Sequence, residues 1–204
     1  MKKWEMARSL LLVIAGALIF MSFRYPMWSI YLWANMYPNG IGMSIYAYKP
    51  ADPPDVEEMD GGMHELNVLN HYIGMKPISR KLPVFTILPT LLGLSAVLLI
   101  LSAFIRRERF FKVALWVFLG TAVYGMVTFF YRIYEYGHDL RPDAAIKVPP
   151  FTPGIIGWNR IAQFETWSEF GWGTYLVLIA FAVAWGVYFL DRRFRKRALA
   201  GERA

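Results

Sequence analysis

Four long apolar stretches dominate the pattern of hydrophobic and polar positions along the chain. They cover about residues 4–23, 82–105, 113–131 and 172–190, and their central parts carry no acidic or basic side chain. A helix of about 20 residues crosses the hydrocarbon core of a bilayer. Because backbone N–H and C=O groups must pair within the segment there, we expect four transmembrane helices. The pattern is not the alternation over about ten residues that is typical of a transmembrane barrel.

Two long segments, residues 24–81 and 132–171, join these spans on one side of the membrane. Aromatic residues early in the first segment suit the water–lipid boundary, in an interfacial helix or a continuation of span one: Trp28, Tyr31, Trp33 and Tyr37. A short β-like run at 43–48 and an exposed, acidic, proline-rich loop are expected next. The second segment has too many large apolar groups to stay solvated, which indicates an ordered cap on the membrane. The predicted fold class is an all-α membrane protein, a single membrane domain over residues 1–204 with two structured outer loops.

Composition supports a membrane protein and excludes several chemistries. Hydrophobic residues make up 56% of the chain and charged residues 18%, and the mean hydropathy is +0.34. A soluble domain is about 45–50% apolar and roughly 25% charged. The absence of cysteine excludes disulfide scaffolds, thiolate zinc sites, iron–sulfur clusters and c-type haem attachment. The sequence also lacks a Walker A motif, a dinucleotide fingerprint and a G-x-S-x-G elbow.

The net charge of +7 is unevenly distributed and predicts an orientation. Segments 1–8, 106–112 and 191–204 hold 13 of the 22 basic residues and four of the 15 acidic residues, a net charge of +9, so the rest of the chain carries −2. The positive-inside rule then places both termini in the cytoplasm and the two outer loops in the periplasm of a bacterial inner membrane. Anionic lipid headgroups are the expected partner of the basic segments, and nucleic acid is not indicated.

The most specific-looking segment is the run MHELNVLNHYIGM at residues 63–75. On a helix, His64, Asn67, His71 and Met75 share one face. Imidazole and thioether groups are ligands that Cu(I) accepts, whereas a zinc site would more often add a carboxylate. Seven helical residues separate the two histidine Cα atoms by roughly 10 Å, so another element would have to complete the site. The alternative is a polar helix face packed on the second outer loop, with hydrogen-bonded histidines.

The third histidine follows span three in the run YRIYEYGHDLRPDAA. Tyr131, Tyr134, Glu135 and His138 share a helical face, and Gly137 is a typical C-terminal stop. His138 either joins the other histidines in a cluster between the loops or is stabilised by the helix dipole. A haem buried between the spans is disfavoured because all three histidines lie at the outer ends, and a haem held by His71 and His138 near the surface is a weaker alternative to copper.

The strings HELNVLNHYIGM and YGHDLRPDAAIKVPPFTPGIIG resemble those of small bacterial inner-membrane proteins found beside copper-maturation and nitrous-oxide-reduction genes. The resemblance covers about a third of the chain, in two pieces. It implies copper as a cofactor and His64, His71, Met75 and His138 as the metal-site residues.

Three functional hypotheses follow. The first is an accessory protein, not an enzyme on its own, that handles or senses copper at the periplasmic face. The second is a structural subunit of a larger respiratory or redox membrane complex, whose aromatic outer loops dock other membrane or periplasmic proteins. The third is an enzyme subunit that carries a metal or haem centre.

Overall fold

The structure is a computed structural model that describes residues 2–161 and 164–201, with side chains for residues 3–161 and 164–194. Arg203 of the basic C-terminal segment lies outside the described residues. The helices and strands follow one another along the chain in this order: α1 Lys2–Ser22, β1 Trp28–Ala34, β2 Tyr37–Tyr46, β3 Lys49–Ala51, a 3-10 turn Val56–Glu58, α2 Met63–Tyr72, α3 Val84–Phe104, α4 Glu108–His138, β4 Gly157–Ile161, β5 Phe164–Phe170 and α5 Trp172–Gly201.

Four of the helices lie where the sequence predicts the four spans. Segments Lys3–Ser22, Val84–Phe104, Glu108–His138 and Trp172–Phe194 are each long and apolar enough to cross a membrane. Each segment is at least as long as the thickness of a bilayer core, and only the intra-helical ladder pairs every backbone group along such a run. The helix expected over 63–75 is present as α2 but ends at Tyr72, so Met75 lies outside it. Span three runs on beyond Tyr131 as predicted, and its helix includes His138, which was expected just past the helix end.

The prediction of an all-α protein is wrong. The two outer segments together form a five-stranded antiparallel sheet in the order β3-β2-β1-β5-β4. The stretch expected to be an interfacial helix or a continuation of span one contains β1, and the β-like run expected at 43–48 overlaps β2. The error arose because the central pairing is non-local: β1 lies in the first outer segment and pairs with β5 in the second, with Trp28 opposite Phe170.

The chain divides into two compact units. The helical unit comprises Met1–Met21, Thr90–Ala122 and Tyr175–Ala204, and the sheet unit comprises Ser22–Pro89 and Val123–Thr174. The interior of the helical unit is close-packed, with the largest fully buried side chains coming from four helices: Leu12, Leu92, Leu99, Phe118 and Val187. Its outward surface is also apolar, which suits side chains that contact lipid: Leu10, Val97, Trp116 and Leu178.

Several buried polar groups inside the helical unit are paired, although the buried Trp185 indole nitrogen has no hydrogen-bond partner among the described residues. The Ser95 and Thr121 hydroxyls lie 3.1 Å apart, and each is also within hydrogen-bond distance of a carbonyl one turn earlier in its own helix. Because each hydroxyl has one proton, one of them donates to the other and the second donates to its own helix carbonyl. Near the chain termini, Arg8 and Asp191 form an ion pair at 2.9 Å with side chains only 12% and 13% exposed. Because unpaired polar groups are costly away from water, the contacts between helices favour this packing.

The sheet unit has its own core on one face of the sheet. Trp28 and Ile30 of β1, with Ile41 and Met43 of β2, pack against Leu66 of α2, and Ile133 of α4 joins the same cluster. Alternate residues of a strand point to opposite faces, so Ser29, Tyr31 and Trp33 lie on the other face. One face of the sheet is therefore covered by α2 and the end of α4, and the face that carries Tyr31 and Trp33 is the more exposed one.

Candidate functional site

The histidine-bearing helix α2 is held at both ends. At its start, the Met63 N–H donates to Asp52 at 2.8 Å, and the Gly62 N–H donates to the Glu65 carboxylate at 2.9 Å. At its end, Gly74 has φ +83°, a left-handed conformation that glycine adopts without strain. The reversed chain lets the Met75 N–H donate to the Asn70 carbonyl at 2.8 Å. Met75 is buried as a result.

The segment after α4 is attached to this end of α2. The backbone N–H of Arg141 donates to the Gly74 carbonyl, and that of Ile146 donates to the Tyr72 carbonyl, both at 2.9 Å. Lys76 contacts the Asp139 carboxylate at 2.5 Å. The hydrogen bond to Asp139 raises the pKa of Lys76 above its ordinary value. The two segments that carry the predicted site residues are therefore in direct contact.

Two of the three histidines have partners that determine their tautomers. The His71 Nδ1 lies 2.9 Å from Nη2 of Arg141, which only donates, so this Nδ1 is an acceptor and the ring proton is on Nε2. The His138 Nδ1 lies 3.0 Å from the Tyr134 carbonyl, which only accepts, so this Nδ1 donates and Nε2 keeps its lone pair in the neutral ring. The His138 ring also stacks on Tyr134, with 3.8 Å between centroids.

The described residues contain no group of three or more histidine, aspartate or glutamate side chains arranged to hold a metal ion. His64 and His71 are exposed on α2, and His138 is half-buried at the end of α4. Asn67, which shares the predicted face, pairs instead with the backbone of Ile78: its Oδ1 accepts from the N–H at 2.7 Å and its Nδ2 donates to the carbonyl at 3.3 Å. The structure thus brings the segments of His71, Met75 and His138 together without gathering three such ligands.

A second candidate site lies on the open face of the sheet. We define the aromatic face as Tyr31, Trp33, Trp158 and Trp167. The strand register places Tyr31 opposite Trp167 and Trp167 opposite Trp158, so all three lie on one face. The ring centroids of Trp33 and Trp158 are 5.4 Å apart, as are those of Trp158 and Trp167, and those of Tyr31 and Trp33 are 6.2 Å apart. The rings form one continuous surface across three strands.

Glycines in β2 make room for these rings. At Gly40, with φ +82°, an added Cβ would lie 2.7 Å from the Trp33 indole nitrogen. At Gly42, an added Cβ would lie 3.0 Å from the Tyr31 ring. The Trp167 indole N–H donates to the Glu169 carboxylate at 3.1 Å, and this hydrogen bond orients the Trp167 ring. The aromatic face is therefore positioned by backbone as well as side-chain contacts.

Carboxylates border the aromatic face. The Tyr31 hydroxyl donates to Asp55 at 3.4 Å. Burial, followed by the negative charges of Asp55 and Glu169, raises the pKa of Tyr31 to about 12. Glu165 lies opposite both Trp33 and Arg160 in the strand register and is exposed, as is Glu169. The result is an aromatic surface in a mostly acidic environment.

This face was not predicted from the sequence. One membrane-boundary set was expected, made of Trp28, Tyr31, Trp33 and Tyr37. Instead, Trp28 lies in the core of the sheet unit, where it donates its indole N–H to the Ile155 carbonyl at 2.8 Å, and Tyr37 packs against that core. The sequence does carry a signal for this face, an alternation of residue types with a period of two that is typical of strands. It is present at Ser29, Tyr31 and Trp33 in β1 and in the run E-T-W-S-E over 165–169 in β5.

No model of a known protein family matches this chain, and no curated protein is similar to it.

Proposed function

We propose that this protein is a multi-pass membrane protein whose sheet unit binds a partner protein, so that it acts as an accessory or structural subunit of a larger membrane assembly. The observation that carries the proposal is the aromatic face. Trp158 is 67% exposed on it, and Tyr31, Trp33 and Trp167 are half-exposed. Tryptophan and tyrosine are enriched where proteins bind one another, because their large rings gain much contact area at low entropic cost.

The distribution of charge supports an orientation for this subunit. The basic residues concentrate in segments 1–8, 106–112 and 191–204, which favours a cytoplasmic location for both termini. The sheet unit would then lie in the periplasm of a bacterial cell, beside the inner membrane. A partner would be another periplasmic or membrane protein, and the lipid bilayer would surround the four spans.

Purification from native membranes in a mild detergent tests this function. We expect a partner in fixed stoichiometry that is lost with the Trp158→Ala variant. Trp172→Ala is the matched control, because Trp172 is also 67% exposed but lies at the start of α5, outside the aromatic face. If the wild-type protein purifies alone, or if both variants retain the partner equally, the docking function is wrong.

Copper handling at the outer face is a second candidate, favoured by the tautomer of His138. A histidine that donates Nδ1–H to a backbone carbonyl and keeps Nε2 available has the arrangement usual for a metal ligand. His64, His71 and Met75 would supply the remaining ligands once the Arg141 guanidinium leaves His71. Haem at the same position, held by His71 and His138, is the weaker variant of this idea.

A Cu(I) competition titration of the full-length protein in detergent tests the copper candidate. We expect one tightly bound ion, weakened at least tenfold by His138→Ala and by the double variant His64→Ala/His71→Ala. Arg141→Gln should strengthen binding, because it removes the cation that occupies the His71 ring nitrogen. Equal affinity in the wild-type protein and the histidine variants would exclude this site.

A further inference from the structure

The four rings of the aromatic face contact one another and do not enclose a space. Neighbouring centroids are 5.4 to 6.2 Å apart, at interplanar angles from 27° to 56°. A cage for a single small cation needs rings that face one another across a gap, and no such gap exists between rings in contact. An occupant must therefore lie on top of the rings, and it can extend over more than one of them.

The charges around this surface are mostly negative, with exposed Arg160 opposite Glu165 as the exception on β4, and they favour a cationic occupant. Glu165 and Glu169 of β5 are exposed on the face, and Asp55 contacts the Tyr31 hydroxyl. The acidic segment that contains Asp55 is held beside β2, because the Asp60 N–H donates to the Gly40 carbonyl at 2.9 Å. Exposed Glu57 and Glu58 belong to the same segment. Carboxylates thus flank the rings on two sides.

The chain itself provides an example of the same chemistry. At the β2–β3 end of the sheet, the Lys49 ammonium lies 5.9 Å from the Tyr46 ring centroid and 5.5 Å from that of Tyr48. In the part of the chain that the structure describes, no lysine or arginine lies over Trp33, Trp158 or Trp167 in this way. The tryptophan faces therefore remain available to a cation from another molecule.

We propose that the aromatic face binds an extended segment of the partner protein that carries arginine or lysine at alternate positions, an inference that rests on the docking function proposed above. Guanidinium and ammonium groups are attracted to indole faces, and the flanking carboxylates add Coulomb attraction. Side chains two residues apart in an extended chain are about 6.6 Å apart. That spacing is close to the 5.4 Å and 6.2 Å between neighbouring ring centroids, so successive cations meet successive rings.

The test uses the full-length protein in a mild detergent and a synthetic peptide of Arg-Thr repeats as the probe, with binding followed by tryptophan fluorescence and calorimetry. The reference peptide has citrulline in place of arginine, which keeps the shape and removes the charge. We expect the arginine peptide to bind and the citrulline peptide to bind at least tenfold more weakly. Affinity for the arginine peptide should fall as salt is raised, because exposed charges are screened.

Two sets of variants locate the site. Trp158→Ala should weaken binding by about fivefold, since a single exposed cation–π contact is lost. Glu165→Gln/Glu169→Gln should weaken it and flatten its salt dependence. Trp172→Ala, which removes an equally exposed indole outside the face, should leave the affinity unchanged.

The inference is overturned if the citrulline peptide binds as well as the arginine peptide, or if Trp172→Ala and Trp158→Ala weaken binding equally. It is also overturned if a neutral hexose oligomer competes with the peptide, because the face would then recognise sugar rings. A failure of this inference can be distinguished from a failure of the proposed docking function. If Trp158→Ala releases the native partner but no basic peptide binds, only the chemistry of the partner is wrong.

Discussion

Replacement of Asp191 by asparagine tests how the helical unit is held together. The Asp191 carboxylate accepts from the Arg8 Nε at 2.9 Å and from the Trp4 indole N–H at 2.7 Å. Arg8 also donates to the Ser102 carbonyl at 3.3 Å, and its guanidinium lies 5.0 Å from the Phe111 ring centroid. The Asp191 carboxylate therefore connects α5 to α1, and its partner Arg8 connects α1 to α3 and α4.

The expected magnitude follows from distance and burial. At 2.9 Å and an effective dielectric constant of about 20, the gross Coulomb attraction is about 6 kcal/mol. Much of this attraction offsets the desolvation of the two charged groups, whose side chains are only 12% and 13% exposed. Removal of one partner from a buried ion pair costs about 3–5 kcal/mol, because the other charge is left without its partner. Because asparagine keeps a hydrogen bond to Trp4, we expect Asp191→Asn to lower the free energy of unfolding by about 3 kcal/mol.

The assay is reversible unfolding in mixed micelles, arranged as a double-mutant cycle with Arg8→Met. Each single variant should be strongly destabilised and the double variant less than their sum, with a coupling energy of about 2 kcal/mol. The control pair is Arg106–Glu5, which is also close, at 2.7 Å, but has side chains that are 67% and 43% exposed. Glu5→Gln should cost less than about 1 kcal/mol. Equal losses for Asp191→Asn and Glu5→Gln, or a coupling energy near zero, would refute this reasoning.

Three further predictions concern the sheet unit. In Gly137→Ala, the new Cβ would lie 2.9 Å from the Phe151 carbonyl carbon and overlap its oxygen, so we expect a loss of about 1–3 kcal/mol and faster proteolysis of the segment after α4. Because the folded pKa of Tyr31 is raised to about 12, its contribution to stability is complete below pH 10, the ordinary tyrosine value, and is lost as pH rises from there through 12. Tyr31→Phe should remove the corresponding high-pH step in absorbance at 295 nm. Asn67→Ala removes two hydrogen bonds to the backbone of Ile78 and should cost about 1–3 kcal/mol, measured as a lower Tm.

The candidate sites were only partly accessible from sequence. The helical spacing of His64 and His71 is a local property, and α2 forms over both of them. Met75 was expected on the same helical face, but it lies beyond the end of α2 at Tyr72, after the chain reversal at Gly74. Their chemical state is not local, because His71 receives its hydrogen bond from Arg141, which is 70 residues away in the chain. The aromatic face required knowledge of strand pairing, since Tyr31 meets Trp167 and Trp158 only after the two outer segments form one sheet.

The sequence by itself determined the four long helices that are apolar enough to cross a membrane. A run of apolar residues gains its free energy from the bilayer, and each backbone group pairs within its own helix, so the prediction needs no distant partner. Only the tertiary structure decided that the outer segments form a sheet, which of their aromatic residues enter the core, and which partners the histidines have. A strand obtains both its hydrogen bonds and its buried face from other segments of the chain. The register that pairs Trp28 of β1 with Phe170 of β5 therefore cannot be derived from the local sequence pattern.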